Sequence, residues 1–206
     1  MQKKTPDEKG TREKIFDAAV ELFSRKGYDG VSIREIANLV GIKESSLYNH
    51  YKSKDEILDI IFDYMQEVIK HSRPSDEELE RMLASMPPEA VFRAYIANFG
   101  KAKNPIVDKI ARIIYMEQYR NARARNFVLQ SFLEEPAAFQ AKMLRRMMER
   151  KLIREIDADL VAAEFNYGLI SITIEYSHYL NEGLDPAPVV KKMMQHVDFF
   201  FSRLKV

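Results

Sequence analysis

Residues 30–58, "GVSIREIANLVGIKESSLYNHYKSKDEIL", set two short helical patterns around one glycine, followed by tyrosines, a histidine and lysines. Ser32 and Glu35 have the spacing of a capping box, in which hydroxyl and carboxylate satisfy free amides at a helix start. Ile33, Ile36, Ala37 and Val40 form the inner face of that helix, and Gly41 ends it. A second helix is expected over residues 44–51. Two short helices joined by a tight glycine turn make a helix-turn-helix. Its first helix crosses the backbone of duplex DNA while the second enters the major groove, about 12 Å wide. The outward side of this reader helix would carry Lys43, Glu44, Ser45, Ser46, Tyr48, Asn49 and His50, with Leu47 facing inward to pin it.

Each of these side chains suits a task at DNA. Tyr48, His50 and Tyr51 can donate hydrogen bonds to phosphates or stack on sugars. Lys54 lies in the first turn of the next helix, whose free amides favour an anion, so a phosphate is expected there. Lys43, Ser45, Ser46 and Asn49 could reach base edges, and Glu44 could accept from a cytosine amine. Arg34 and Thr11 are further candidates for backbone contacts. Against this stands the plain reading that a three-helix unit is only a way to pack helices.

Around the stretch nearly everything reads helical. Thr11–Lys26 carries an apolar stripe of Ile15, Ala18, Ala19, Leu22 and Phe23, stopped by Gly27. Ser53 and Glu56 suggest a second capping box, opening a helix over residues 53–71, roughly 28 Å long. "SRPSDEE" reads as a linker. Further helices are expected over residues 76–86, 88–102, 105–120, 122–134 and 136–151. Asp157 caps a long helix reaching residue 181, and a last one follows "GLDPAP". "LISITI" alternates like a strand, but no turn residues bound it on both sides.

The bulk numbers agree with an ordinary globular chain of one or two domains: 206 residues, 46% hydrophobic and 31% charged. Formal net charge is +1, yet residues 1–54 hold 11 Lys and Arg against 8 Asp and Glu, so the head is modestly basic. No cysteine is present, which removes disulfides and thiolate catalysis. The opening "MQKKTPDEKG" has no apolar leader, and no apolar run approaches the roughly 18 residues of a membrane span, so a cytoplasmic protein is expected. Four histidines, His50, His71, His178 and His196, lack metal-ligand spacing, and no phosphate-loop or nucleophile-elbow motif occurs. No metal, cofactor or catalytic residue is expected.

The stretch "GYDGVSIREIANLVGIKESSLYNHYKSKDEIL", with the leading "FDAAVELFSRKGYDG", resembles the N-terminal domain of the TetR (tetracycline-repressor) family of bacterial transcription regulators. The resemblance covers residues 11–69, and its most specific part is the ending "LYNHYKSKDEIL". Lys43 and Glu44 depart from it: family members often carry Ser or Thr at the first position and a basic or small residue at the second. The resemblance implies an all-α fold, in which residues 1–54 form the DNA-binding domain, the fourth helix (53–71) connects, and residues 55–206 bind a ligand and dimerise. It further implies a homodimer on a palindromic operator, released when a small molecule moves the fourth helix.

In the body, Tyr95, Phe99, Tyr115, Tyr119, Phe139, Phe165 and Asn166 are candidate ligand-lining residues, although such stripes more often mean plain core. Glu117, Glu164, Glu175 and His178 are the polar groups expected to face inward. The helix over residues 157–181 is apolar nearly all round, as a helix buried on two sides is. Leu169, Ile172 and Tyr176 on it, with Met193, Val197, Phe200 and Leu204 on the last helix, are the expected dimer interface. The competing reading is an enzyme or small-molecule carrier on a helical scaffold with a vestigial DNA-binding head.

Overall fold

The computed structural model describes residues 10–101 and 105–205, with the side chains of residues 99–101 excepted. Among the described residues every regular element is helical. In chain order they are α1 (Thr11–Lys26), α2 (Ile33–Val40), α3 (Glu44–Tyr48), α4 (Lys54–Ser72), α5 (Asp76–Ser85), α6 (Pro88–Lys101) and α7 (Pro105–Glu117). Then follow α8 (Ala122–Phe127), a π-helical segment (Val128–Glu134), α9 (Glu135–Glu149), α10 (Ala158–Asn181) and α11 (Ala187–Ser202).

Packing divides the chain into two compact units: Met1–Glu67 with Asn104–Arg125, and Val68–Lys103 with Asn126–Val206. This is a division by contact, distinct from the division by task at residue 54 that the sequence suggests. In the first unit α1 packs on α2 and α7, and α2 on α3. Its buried apolar residues include Ile15 and Phe23 of α1, Ile36 of α2, Ile61 of α4 and Ile113 of α7, each fully shielded from solvent. On α4, Ile57, Leu58, Ile61, Phe62, Met65 and Ile69 are buried.

In the second unit α10 packs on α9 and α11, and α6 on α11. Phe92 of α6 sets its ring against both Phe165 of α10 (5.2 Å) and Phe201 of α11 (4.9 Å) in edge-on geometry, joining three helices at one point. Gly168 of α10 leaves room for His196 of α11, since a Cβ there would run into the imidazole ring. The strand-like "LISITI" lies within α10, where the Ser171 and Thr173 hydroxyls bond back to carbonyls four residues earlier. Asp157 caps α10 as expected, accepting the Leu160 N–H at 3.1 Å. The "linker" before α5 holds an unexpected capping box, Ser75 with Glu78.

An uninterrupted helix expected over residues 122–134 is instead interrupted by the π-helical turns of Val128–Glu134. Pro136 has no N–H for the Phe132 carbonyl four residues earlier, and a side chain far along the sequence meets the carbonyls there instead. Asn166, 3% exposed, donates both amide protons, one to the Phe132 carbonyl and one to that of Leu133, each at 3.1 Å. Its Oδ1 accepts from Nε2 of the buried Gln140 at 3.3 Å. A donor inserted into a helical ladder displaces the local hydrogen bonds, and the wider π turn accommodates it.

Asn166→Leu should therefore strand two carbonyls and one amide, lowering the thermal midpoint by an amount equivalent to roughly 2–3 kcal/mol. Ser171→Ala, which removes only a hydroxyl bonded to its own helix, should change stability by less than about 0.5 kcal/mol. Circular dichroism melts compare the two; equal midpoints would contradict the role given to Asn166.

Candidate nucleic-acid interface

The supporting helix α2 is fixed at both ends. Ser32 Oγ accepts the Glu35 N–H (3.2 Å), and Glu35 Oε2 accepts the Ser32 N–H (2.8 Å), the full capping box. Lys26 adds its ammonium to the same carboxylate at 2.8 Å. At the other end Gly41 takes the left-handed conformation at φ 77°, which a Cβ would strain. Its N–H reaches Asn38, and that of Ile42 reaches the Ala37 carbonyl, closing the turn.

The reader α3 spans only Glu44–Tyr48, shorter than the eight residues expected. Lys43 precedes it with no side-chain cap. Asn49 and His50 close it in a turn, with the His50 N–H on the Leu47 carbonyl. Leu47 is fully buried, as expected of the pin. Lys43, Glu44, Ser45, Tyr48 and Asn49 are exposed, as is Arg34 on α2, while Ser46 and His50 are half-buried. Glu44 with Tyr48, and Ser45 with Asn49, sit four residues apart and so share the outer face.

Two expected members of this surface belong elsewhere. Tyr51 is 2% exposed; its hydroxyl donates to the Arg12 carbonyl at 3.0 Å and the Arg12 guanidinium lies 5.1 Å from its ring centre. An aromatic ring at the end of so short a helix does more for stability inside the unit than outside it. Lys54 is half-buried, and its ammonium is anchored: Nζ donates to the Tyr28 and Val31 carbonyls, both at 2.9 Å, above the Tyr28 ring. The free amides before α4 are likewise partly taken, since Ser53 Oγ accepts the Glu56 N–H and the Glu56 carboxylate accepts the Lys52 N–H. The second capping box is thus half formed.

Tyr28, which the sequence reading did not single out, joins several elements. Its hydroxyl donates to Asp55 at 2.6 Å, its ring meets Phe23 edge-on, and its N–H donates to Glu117 at 2.9 Å. Burial, helped by the Asp55 carboxylate, pushes its phenol well above the usual range. Its partners lie up to 89 residues away, so local periodicity carries no sign of it.

The expected ligand-lining residues divide between the units. Tyr115 and Tyr119 belong to the first, where Tyr119 is 86% exposed at the end of α7. Burial raises the Tyr115 phenol to about 12. Tyr95, Phe139, Phe165 and Asn166 belong to the second; Tyr95 and Phe165 are fully packed core and Phe139 lies 5.4 Å from Tyr95, centre to centre. The Phe99 side chain is outside the described residues. Gln140 Oε1, buried beside this group, has no partner among the described residues. Of the expected dimer residues, Val197 and Leu204 are buried within the second unit, whereas Leu169, Ile172, Tyr176, Met193 and Phe200 are half-exposed.

Residues 15–61 match the model of the N-terminal domain described as "Bacterial regulatory proteins, tetR family". Residues 15–61 thus form an N-terminal domain of the tetR type. Among curated relatives, the negative transcriptional regulator IcaR of the biofilm operon icaADBC in Staphylococcus aureus is 45% identical over 62 residues, 28% of this chain and 33% of that protein. The IcaR of Staphylococcus epidermidis is 52% identical over 46 residues, 22% of this chain and 25% of that protein. The chain thus matches a third or less of the length of these relatives. Solved TetR-type folds extend over nearly all of it. A transcriptional regulator from Aquifex aeolicus superposes with a TM-score of 0.67 at 20% identity, covering 92% of this chain and 99% of that one. MexZ, a repressor from Pseudomonas aeruginosa, gives 0.65 at 20% identity, covering 95% and 98%. At that identity the likeness concerns the fold.

Acid titration should report the state of α2. Glu35 is held down to about 2, first by the Lys26 ammonium and then by the Ser32 amide and hydroxyl. A carboxylate depressed from 4.5 contributes fully above that pH, and the contribution disappears as pH falls toward 2. Glu35→Ala should flatten the acid limb of the unfolding curve between these values. Parallel limbs for wild type and variant would contradict the capping role.

Proposed function

We propose that this protein is a cytoplasmic transcriptional regulator, a repressor, that binds a palindromic operator as a homodimer and is released by a small molecule. The observation that carries the reading is the pairing of a short, buried-pin helix, α3, with an outer face of polar side chains inside a TetR-family domain. Lys43, Glu44, Ser45, Ser46 and Asn49 address base edges, while Tyr48, His50 and Arg34 address phosphates and sugars. Tyr51 and Lys54 serve the surface from behind, one holding α3 and the other the turn before α2.

The dimer reading draws on α10. From Tyr167 to its end this helix has no buried residue, yet it carries Leu169, Ile170, Ile172, Ile174, Tyr176 and Leu180. Phe199 of α11 is 60% exposed. Apolar faces of this extent on two adjacent helices suit a two-fold helical interface. A dimer can then place two readers roughly 34–36 Å apart, one turn of DNA. For the effector, Gln140 Oε1 among the aromatic side chains of the second unit offers one acceptor to an otherwise apolar ligand. Such a ligand changes DNA affinity only by its preference for one conformation.

Sedimentation should give twice the chain mass, and a duplex recovered from a randomised pool should be bound with affinity falling linearly against log salt, at about −0.9 per phosphate neutralised. Arg34→Ala should weaken every duplex alike and reduce that slope by about one unit, while Asn49→Ala should change the preferred bases. A monomer indifferent to duplex DNA at low salt would overturn the reading.

A further inference from the structure

α7 begins 57 residues beyond the end of the reader (Tyr48 to Pro105), yet it packs on α1 within the same unit. Three polar contacts accompany this packing. The Lys109 ammonium pairs with Glu21, the Arg112 guanidinium reaches the Ser24 carbonyl at 3.5 Å, and Glu117 accepts the Tyr28 N–H at 2.9 Å. The last differs from the others. Glu117 is 6% exposed, and its partner is a backbone amide of the turn between α1 and α2. That turn must pass from Gly27, at φ 74°, to the capping box at Ser32 within five residues. Tyr28 also reaches α4, its hydroxyl donating to Asp55 and its carbonyl accepting from Lys54, while the same carbonyl takes the Val31 N–H within the turn.

We infer that Glu117 is a positioning residue for DNA recognition: its carboxylate, from the end of α7, fixes the Tyr28 amide and with it the start of α2, on which α3 rests. The inference rests on the DNA-binding reading above. Its physical basis is one hydrogen bond from a backbone amide to a buried side-chain oxygen, a bond that is costly to leave unmade away from water. Glu117 carries the acceptor on a side chain of set length. Around it the chain is otherwise committed, since the Glu117 carbonyl takes the Arg120 and Asn121 amides and Asn121 Oδ1 caps α8. Just beyond, Arg123 pairs with Asp59 and Asp63 of α4. Glu117 therefore stands at the point where α7 and the chain leading into α8 meet the helix-turn-helix. A change in α7 would reach the reader through this carboxylate, with no phosphate or base contact of its own.

Three variants separate reach from charge: Glu117→Gln keeps the acceptor at full length, Glu117→Asp keeps the charge but withdraws it by one methylene, and Glu117→Leu removes both. The probe is a fluorescein-labelled duplex recovered from a randomised pool by the wild-type protein, read by anisotropy, with hydrogen exchange at the Tyr28 amide measured alongside. Glu117→Gln should bind within about twofold of wild type and keep that amide protected. Glu117→Asp and Glu117→Leu should bind about tenfold more weakly with an unchanged salt slope, and the Tyr28 amide should exchange at least about tenfold faster. Should Glu117→Leu fail to fold, the Gln and Asp variants carry the comparison. Wild-type affinity in Glu117→Asp despite a freed amide would overturn the inference, as would a loss in Glu117→Gln equal to that in Glu117→Asp. If wild type recovers no duplex, the DNA-binding reading itself fails and the inference falls with it.

Discussion

The reader helix has five residues, far below the roughly 12–15 at which a helix begins to hold itself together in water. It exists because the chain buries Leu47 from its middle and Tyr51 just past its end. Burying two such side chains is worth roughly 2–3 kcal/mol each, more than a short helix can supply from its own hydrogen bonds. α3 therefore has no position of its own. It inherits one from α1, through the Tyr51 hydroxyl on Arg12, and from α2, on which it packs. The same constraint leaves the opposite face, with Glu44, Ser45, Tyr48 and Asn49, free of packing duty.

Local chemistry made much of this legible. The Ser32–Glu35 box, the stops at Gly27 and Gly41, the pin at Leu47 and the Asp157 cap each follow from residues within a few positions of one another. The failures share a different cause. Tyr51 reads as a surface tyrosine until Arg12, 39 residues earlier, is seen to take its hydroxyl. Lys54 reads as a phosphate ligand until the Tyr28 and Val31 carbonyls are found beside it. The carbonyls at the end of the π-helical turns of Val128–Glu134 find their donor in Asn166, more than 30 residues on. Val197 and Leu204 keep the period of a dimer seam yet lie in the core of their own unit, because a three-to-four repeat marks a buried face without naming what buries it.

Sequence identity and fold likeness divide along the same line. Identity to the staphylococcal IcaR proteins is confined to at most 62 residues, whereas the TetR-type fold extends over nine-tenths of the chain at about 20% identity. A surface that must meet a groove of fixed width restricts residue type and register together. A helical body asks only that apolar faces meet, a condition many sequences satisfy. The polar groups inside the second unit, Asn166 and Gln140, are therefore its most individual features, and they sit where the helix geometry itself is irregular.

Amide shift mapping of the labelled protein with a recovered duplex tests the central claim most directly. The largest changes should fall on residues 32–34 and 43–50, with the Leu47 and Tyr51 side chains keeping their buried environment. Changes concentrated elsewhere, or none at low ionic strength, would contradict the assignment of this surface to DNA.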